Sequence, residues 1–363
     1  MVYLKVFFAY IMTLFQIVSP LAFNIAKGDS LYTSWSPSDD YKIEDTIVLE
    51  KNPDKDFVVL NFTDLQMKDA EALGEAGQNV YNTMKKLVDD LNPDLITVTG
   101  DNAWSTVAYI KTIEMLDSFG IPWAPVMGNH DGEGTLGEAW CASSFVRAEN
   151  CLFRYGPKDM GYGNYIINIT ENGEVVHTLY MMDTHSGADF TDENGNKVSG
   201  YDTIWKNQEE WYSWAVNGIN EDAGKKVESS LFIHIPLYEY RTAWAEAYDT
   251  EAGAYRPGWA ETSFGVNNEA VCSPPVNTGF FSVIKALDST KNVLCGHDHI
   301  NDTSIVYDGV RLTYALKTGP ACYWNAAQSG GTTLTISSDG SAVVQHHYVT
   351  ADMLPAVTPD FGC

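Results

Sequence analysis

Five short segments of this chain end in side chains that could hold metal ions. Cys295-Gly296-His297-Asp298-His299 puts two histidines one residue apart. On a strand they would point to the same face, because side chains repeat every second residue, and a turn at Gly296 would let both imidazoles converge. An isolated His-x-His is equally the pattern of an incidental surface pair, so the other four segments carry the weight. Asp64-Leu65-Gln66 follows Phe57–Phe62, Gly100-Asp101-Asn102 follows Leu95–Val98, and Gly128-Asn129-His130-Asp131 follows Trp123–Val126. His234 follows Leu231–Ile233, as His297 follows Val293-Leu294. Carboxylates, an amide oxygen and imidazoles form a nitrogen and oxygen donor set suited to Mn, Zn, Fe(II) or Co.

The elements that must bring these donors together alternate along the chain. After the strand 57–62, apolar Val80, Met84, Leu87, Val88 and Leu91 recur at helical spacing, and Asn92-Pro93 stops the helix before the strand at 95–98. That is a βαβ unit, with parallel strands and a helix over one sheet face. A second helix is predicted over about 106–119 and a strand over 123–126. Beyond residue 160 the pattern turns antiparallel: 165–169 and 175–182 flank Asn172-Gly173, a strong hairpin signal. A helix around Trp211–Ala215, a strand at 231–233 and an amphipathic helix through Phe280, Ile284 and Leu287 follow, then strands near Val306, Leu312, Leu334 and Val343. The expected fold is α/β, a four-layer α/β/β/α sandwich of two mixed sheets flanked by helices. In open α/β sheets ligands gather beyond the C-terminal strand ends, so the five polar clusters should meet there.

Composition narrows the partners. The 363 residues carry a formal charge of −26, and no Lys/Arg cluster offers a surface for tracking phosphates, which argues against nucleic acid. Anionic membrane surfaces are disfavoured for the folded part on the same ground. Residues 1–23 read as a signal peptide, Lys5 preceding an apolar run from Val6 to Val18 that is short for a bilayer span. A retained anchor and a buried N-terminal element are the alternatives. Residues 24–50 read as an extended polar segment, 51–350 as the domain and 351–363 as a tail. The exported reading suits the six cysteines, of which Cys141 and Cys151 are the first candidates for a disulfide. Secretion, with no stable membrane association once the leader is removed, is the expectation.

The blocks Gly100-Asp101-Asn102, Gly128-Asn129-His130-Asp131-Gly132-Glu133, His234-Ile235-Pro236-Leu237 and Gly296-His297-Asp298-His299-Ile300-Asn301-Asp302 resemble those of the calcineurin-like metallophosphoesterases. Within that family the chain looks most like the short purple-acid-phosphatase-related branch, over roughly residues 55 to 335. The resemblance implies a hydrolase of phosphate esters, most simply a phosphomonoesterase, using two divalent cations. Asp64 and His299 would hold the first, Asn129, His234 and His297 the second, and Asp101 would bridge them. His130 would lie just outside the ligand shell, oriented by Asp131. A water acidified between the cations would attack phosphorus in line while His130 assists the leaving oxygen. A phosphodiesterase or pyrophosphatase, and a degenerate binding module, are the rival readings. The expected partner is a small phosphorylated substrate or a phosphoprotein.

Two positions depart from the family pattern. Gln66 stands where a histidine is expected, and a carbonyl oxygen is a weaker donor than imidazole, so Gln66 is open between a weak or water-mediated ligand and a non-ligand. Trp104 replaces the tyrosinate of true purple acid phosphatases, which removes the expectation of a purple, ferric site. His185, Arg241, Arg256 and Tyr323 are candidate substrate contacts; local hydrogen bonding competes for His185, surface ion pairs for the arginines and aromatic packing for Tyr323. His177, His346 and His347 read as structural. Asn168-Ile169-Thr170 and Asn301-Asp302-Thr303 are glycosylation sequons, the second too close to the metal motif to be used.

Overall fold

The computed structural model describes residues 2–355, with side chains from residue 11. Helix α1 (Val2–Lys27) precedes strands β1 (Ile47–Glu50) and β2 (Phe57–Phe62), helices α2 (Asp69–Ala72) and α3 (Glu75–Leu91), and strand β3 (Leu95–Thr99). Then come α4 (Thr106–Asp117), β4 (Trp123–Val126), α5 (Gly137–Val146), β5 (Tyr165–Glu171), β6 (Glu174–Met181), β7 (Gly187–Thr191), β8 (Lys197–Tyr201) and α6 (Lys206–Ala223). The chain continues with β9 (Glu228–Phe232), α7 (Tyr238–Ala247), β10 (Tyr248–Asp249), β11 (Ala254–Tyr255), α8 (Phe280–Leu287) and β12 (Thr290–Cys295). It closes with β13 (Ser304–Tyr307), β14 (Val310–Tyr314), β15 (Gly330–Ile336) and β16 (Ala342–Tyr348).

Two mixed sheets result. One has the order β16-β15-β2-β3-β4, the other β1-β5-β6-β9-β12-β14-β13. β2, β3 and β4 run parallel, as do β6, β9, β12 and β14, so two sets of strand ends open toward one edge of the sandwich. The seven-stranded sheet is buried on both faces, and its side chains alternate accordingly. Ile167, Leu179, Met181, Phe232 and Leu294 join the core with the other sheet and with α3, α4 and α5. Their neighbours Ile166, Tyr180, Leu231 and Val293 face the opposite way, into a second core with α6, α7 and α8. On α3 the apolar stripe Val80, Met84 and Leu87 is buried, and Asn92, with φ 44°, turns the chain out before Pro93. Truncating Met84, fully buried, to alanine would cost roughly 2–5 kcal/mol.

Three expectations change. The segment 24–50 is not wholly extended: α1 runs to Lys27, and Ile47–Glu50 pairs in parallel with β5 at the sheet edge. The proposed Cys141–Cys151 disulfide is absent, and the five cysteines among the described residues are free. Nearness in sequence misleads here. α5 carries the Cys141 thiol against the Asp131 carbonyl (3.1 Å), while the following turn returns Cys151 to the edge of β4 beside Trp123. Both sequon asparagines are buried; Asn168 donates to Tyr41 and Thr46, so its amide is closed to modification in the folded chain.

The N-terminal helix carries, within Ile11–Leu31, a stretch long and apolar enough to cross a membrane, with little of it covered by the protein. It touches the domain through Trp140, whose indole donates to the Ile17 carbonyl.

Candidate metal centre

The six expected ligands come from five strand ends. Asp64 follows β2, Asp101 follows β3, Asn129 follows β4, His234 follows β9, and His297 and His299 follow β12. The backbone there is held in the left-handed region at Asp64 (φ 53°), Gln66 (φ 41°), Asp101 (φ 49°) and His297 (φ 78°). Non-glycine residues in that region cost of order 1–3 kcal/mol each, and such strain concentrates where a site is built. The motif glycines permit the crowding. A Cβ on Gly128 would lie 2.1 Å from the Asp101 nitrogen, and one on Gly296 would lie 2.0 Å from Thr63 Oγ1 and 2.6 Å from Asp64 Oδ2.

Donor atoms of Asp64, Asp101 and His234, all buried, lie within 4.8 Å of one another. Around them, His299 Nε2 is 3.4 Å from Asp64 Oδ1, and His234 Nε2 is 3.0 Å from Asn129 Oδ1 and 3.3 Å from Asp101 Oδ1. His297 Nδ1 is 3.3 Å from His234 Nε2. Hydrogen bonding on the far side of two rings sets their tautomers. The Thr99 carbonyl accepts a hydrogen bond from His234 Nδ1–H (2.8 Å), and the Tyr323 carbonyl accepts one from His299 Nδ1–H (2.9 Å). His234 Nε2 then faces the Asp101 carboxylate and the Asn129 amide oxygen, and His299 Nε2 faces the Asp64 carboxylate, so a cation between them, or a proton on each Nε2, would offset the oxygens. His297 Nε2 is buried without a partner. The residues therefore fit a pair of divalent cations, and backbone-bonded imidazole is the usual support for metal-ligating histidine.

Gln66 is drawn into the same cluster. Its amide donates to Asp101 Oδ2 (2.7 Å), and its own Oε1 is buried with no partner. Asp64 is held by Thr63 Oγ1 (2.8 Å) and the His297 amide, and the ammonium of the buried Lys317 donates to the Asp64 carbonyl (2.5 Å). Burial pushes the Asp64 carboxyl up, but the facing His299, with His234 and Lys317, outweighs it and holds Asp64 below the usual range. Burial alone pulls the Lys317 ammonium down.

Asp131 does not orient His130. It is buried and accepts from the Asn102 and Gly128 backbone amides and from the Asn102 side chain, which saturates it as a brace between two of the loops; burial pushes it up to about 7. His130 instead has Nδ1 3.0 Å from Glu133 Oε1 and its ring against Trp104. Glu133 belongs to the quoted motif, and its three-residue offset from His130 was the available signal. Lys317 and Tyr201 had none: Tyr201, at the end of β8, sets its ring edge against His297 with centroids 4.3 Å apart.

The candidate substrate contacts separate. Tyr323 stacks on His299 (4.1 Å) at the rim and donates to Glu269. His185 stacks on Trp205 and bonds Gln208, a locally satisfied loop histidine. Arg256 donates to the Ala245 and Glu246 carbonyls near the end of α7, and Arg241 leans on Tyr238 and toward the Val271 and Ser273 carbonyls, so both guanidinia serve the insertion around α7. His177 is buried between Gly340 and Ser230, and His346 bonds Thr332 and Asp302, as structural residues do.

A two-sheet sandwich with a mixed Asp, Asn and His cluster beyond its strand ends is the architecture of a metallophosphatase. Residues 57–301 match the calcineurin-like phosphoesterases, and the chain belongs to that family, which uses a dinuclear metal site. It is 26% identical over 279 residues to a protein of Arabidopsis thaliana named probable inactive purple acid phosphatase 14, covering 69% of this chain and 64% of that one. It is 31% identical over 238 residues to the phosphatase DCR2 of Saccharomyces cerevisiae, covering 60% of this chain and 38% of that one. The chain thus spans less than two thirds of either relative's length. Among solved structures it is similar to a dimetal phosphatase from Danio rerio, 10% identical with a TM-score of 0.47, over 78% of this chain and 94% of that one.

Proposed function

We propose that the chain is an exported phosphomonoesterase acting on a small phosphorylated substrate or a phosphoprotein. The observation that carries this reading is the convergence of Asp64, Asp101, Asn129, His234, His297 and His299, with lone pairs facing one another, in a chain of this family. Asp64 and His299 would hold one cation, Asn129, His234 and His297 the other, and Asp101 would be shared. When bound, such cations supply Lewis-acid charge against a phosphoryl oxygen and acidify water. The chain's own part is to hold the Nδ1 protons of His234 and His299 on Thr99 and Tyr323 so that each Nε2 can serve as a donor, to brace the loops through Asp131, and to present the half-exposed His130 beside the leaving oxygen, where it delivers a proton.

The test is metal analysis of the purified protein with turnover of nitrophenyl phosphate and bis-nitrophenyl phosphate under metal add-back. Metal-dependent turnover of the monoester, lost in Asp101→Ala and His297→Ala, is expected. Full metal-dependent activity in either variant overturns the mechanism, and faster turnover of the diester transfers the reading to a diesterase. One observation favours a non-catalytic binding module instead: Gln66 occupies Asp101 Oδ2, an oxygen that a shared cation would use. Bound metal with no turnover of any phosphoester is that module's signature.

A further inference from the structure

Three side chains form a bracket beside the metal centre that no ligand role uses. Glu133 Oε1 is 3.0 Å from His130 Nδ1, and Glu133 Oε2 accepts the Trp104 indole N–H at 2.8 Å. The Trp104 ring lies against the His130 ring, centroids 4.4 Å apart and tilted by 34°, and Lys68 Nζ sits 4.6 Å over the same indole. His130 is held at its backbone as well, its N–H donating to Asp101 Oδ1 (3.0 Å). The Nδ1 to Glu133 approach is close but off the line of the ring N–H, so Nδ1 has no aligned hydrogen bond; such contacts at active sites tighten when substrate is bound. Glu133 is half exposed, and a small rotation of the His130 ring would bring Nδ1–H into line with Oε1.

From this we infer that Glu133 is the positioning residue for His130, with Trp104 as the clamp that holds both. A carboxylate at Nδ1 holds the proton on that nitrogen and turns Nε2 outward; when the ring carries its second proton, Nε2–H is the group that can pass it to a leaving oxygen. Trp104 cannot be the metal ligand that a tyrosine would be; its N–H fixes the carboxylate and its face fixes the ring plane. The inference rests on the phosphoesterase reading, and its test is built so the two can fail separately.

His130 is examined in ¹⁵N-histidine-labelled, metal-loaded protein, with His130→Asn identifying its resonances. The parent should show Nδ1 protonated, and Glu133→Ala should shift the population toward the other tautomer. In turnover, Glu133→Gln should lower kcat roughly tenfold with KM and metal content unchanged, and Glu133→Asp should recover part of the loss. In the His130→Asn background the same Glu133→Gln change should have no further effect, because Glu133 acts only through the ring. Equal losses in both backgrounds, a fall in metal content, or an unaltered tautomer in Glu133→Ala overturns the assignment. If the parent itself turns over no phosphoester, the proposed activity fails while the tautomer measurement still decides the role of Glu133.

Discussion

Replacing Gln66 by histidine should strengthen the first metal site. In the parent, the Gln66 amide donates to Asp101 Oδ2 at 2.7 Å, and its Oε1 is buried with no partner. A hydrogen bond to a charged acceptor is worth about 1.5–3 kcal/mol, so a cation drawing on Asp101 Oδ2 competes with roughly that much. Histidine removes the competing donor and adds an imidazole nitrogen beside Asp64 and His299, and it tolerates the left-handed backbone at this position, φ 41°. At about 1.4 kcal/mol per factor of ten, relief of the competition alone corresponds to about ten- to a hundredfold tighter binding of the first cation. Mass-spectrometric metal analysis after dialysis against limiting Mn or Zn should show occupancy rising toward two per chain. Calorimetric titration should resolve a tightened site while the other stays as in the parent. Thermal melting alongside the parent guards against a folding artefact. An unchanged stoichiometry and affinity in a well-folded Gln66→His protein would refute the reasoning and make Gln66 a neutral occupant of the site.

Gly296→Ala should lose metal and stability together, because its Cβ meets Thr63 Oγ1 at 2.0 Å and Asp64 Oδ2 at 2.6 Å; thermal shift with and without metal reads both. His130→Ala should keep its metal yet lose about 10²–10⁴ in kcat, measured by metal analysis beside nitrophenyl phosphate turnover. Burial holds His177 down at about 4, against an ordinary value near 6.5, so the unfolded chain takes up the proton first. Its contribution is therefore intact above pH 6.5 and is lost as the pH falls toward 4, about 2 kcal/mol of it by pH 5. Urea denaturation at pH 7 and pH 5 should show His177→Gln losing less stability across that interval than the parent, and equal losses would count against a buried neutral imidazole.

The strand ends were legible from sequence because two periodicities are hard to mistake: the helical spacing of Val80, Met84 and Leu87, and the short apolar runs that stop at Asp64, Asp101, Asn129, His234 and His297. A strand buried on both faces is mostly apolar, so a polar cluster just beyond its end marks where the sheet meets its ligand. Side-chain partners were not legible, because they depend on which loop lies across from which. Asp131 is adjacent to His130 in sequence but points into the brace with Asn102 and Gly128, while Glu133, three residues on, folds back over the ring through a turn closed by the Glu133 amide on the His130 carbonyl. Cys141 and Cys151 are close in the chain and separated by the helix that carries one of them. Arg256, open in sequence between a substrate contact and a surface ion pair, is spent on the carbonyls at the end of α7. Donor types and their order are properties of the chain itself. Only the tertiary structure decided which lone pairs face one another, which carbonyls set their tautomers and that Gln66 already holds one oxygen of Asp101, since each of those contacts joins segments far apart in sequence.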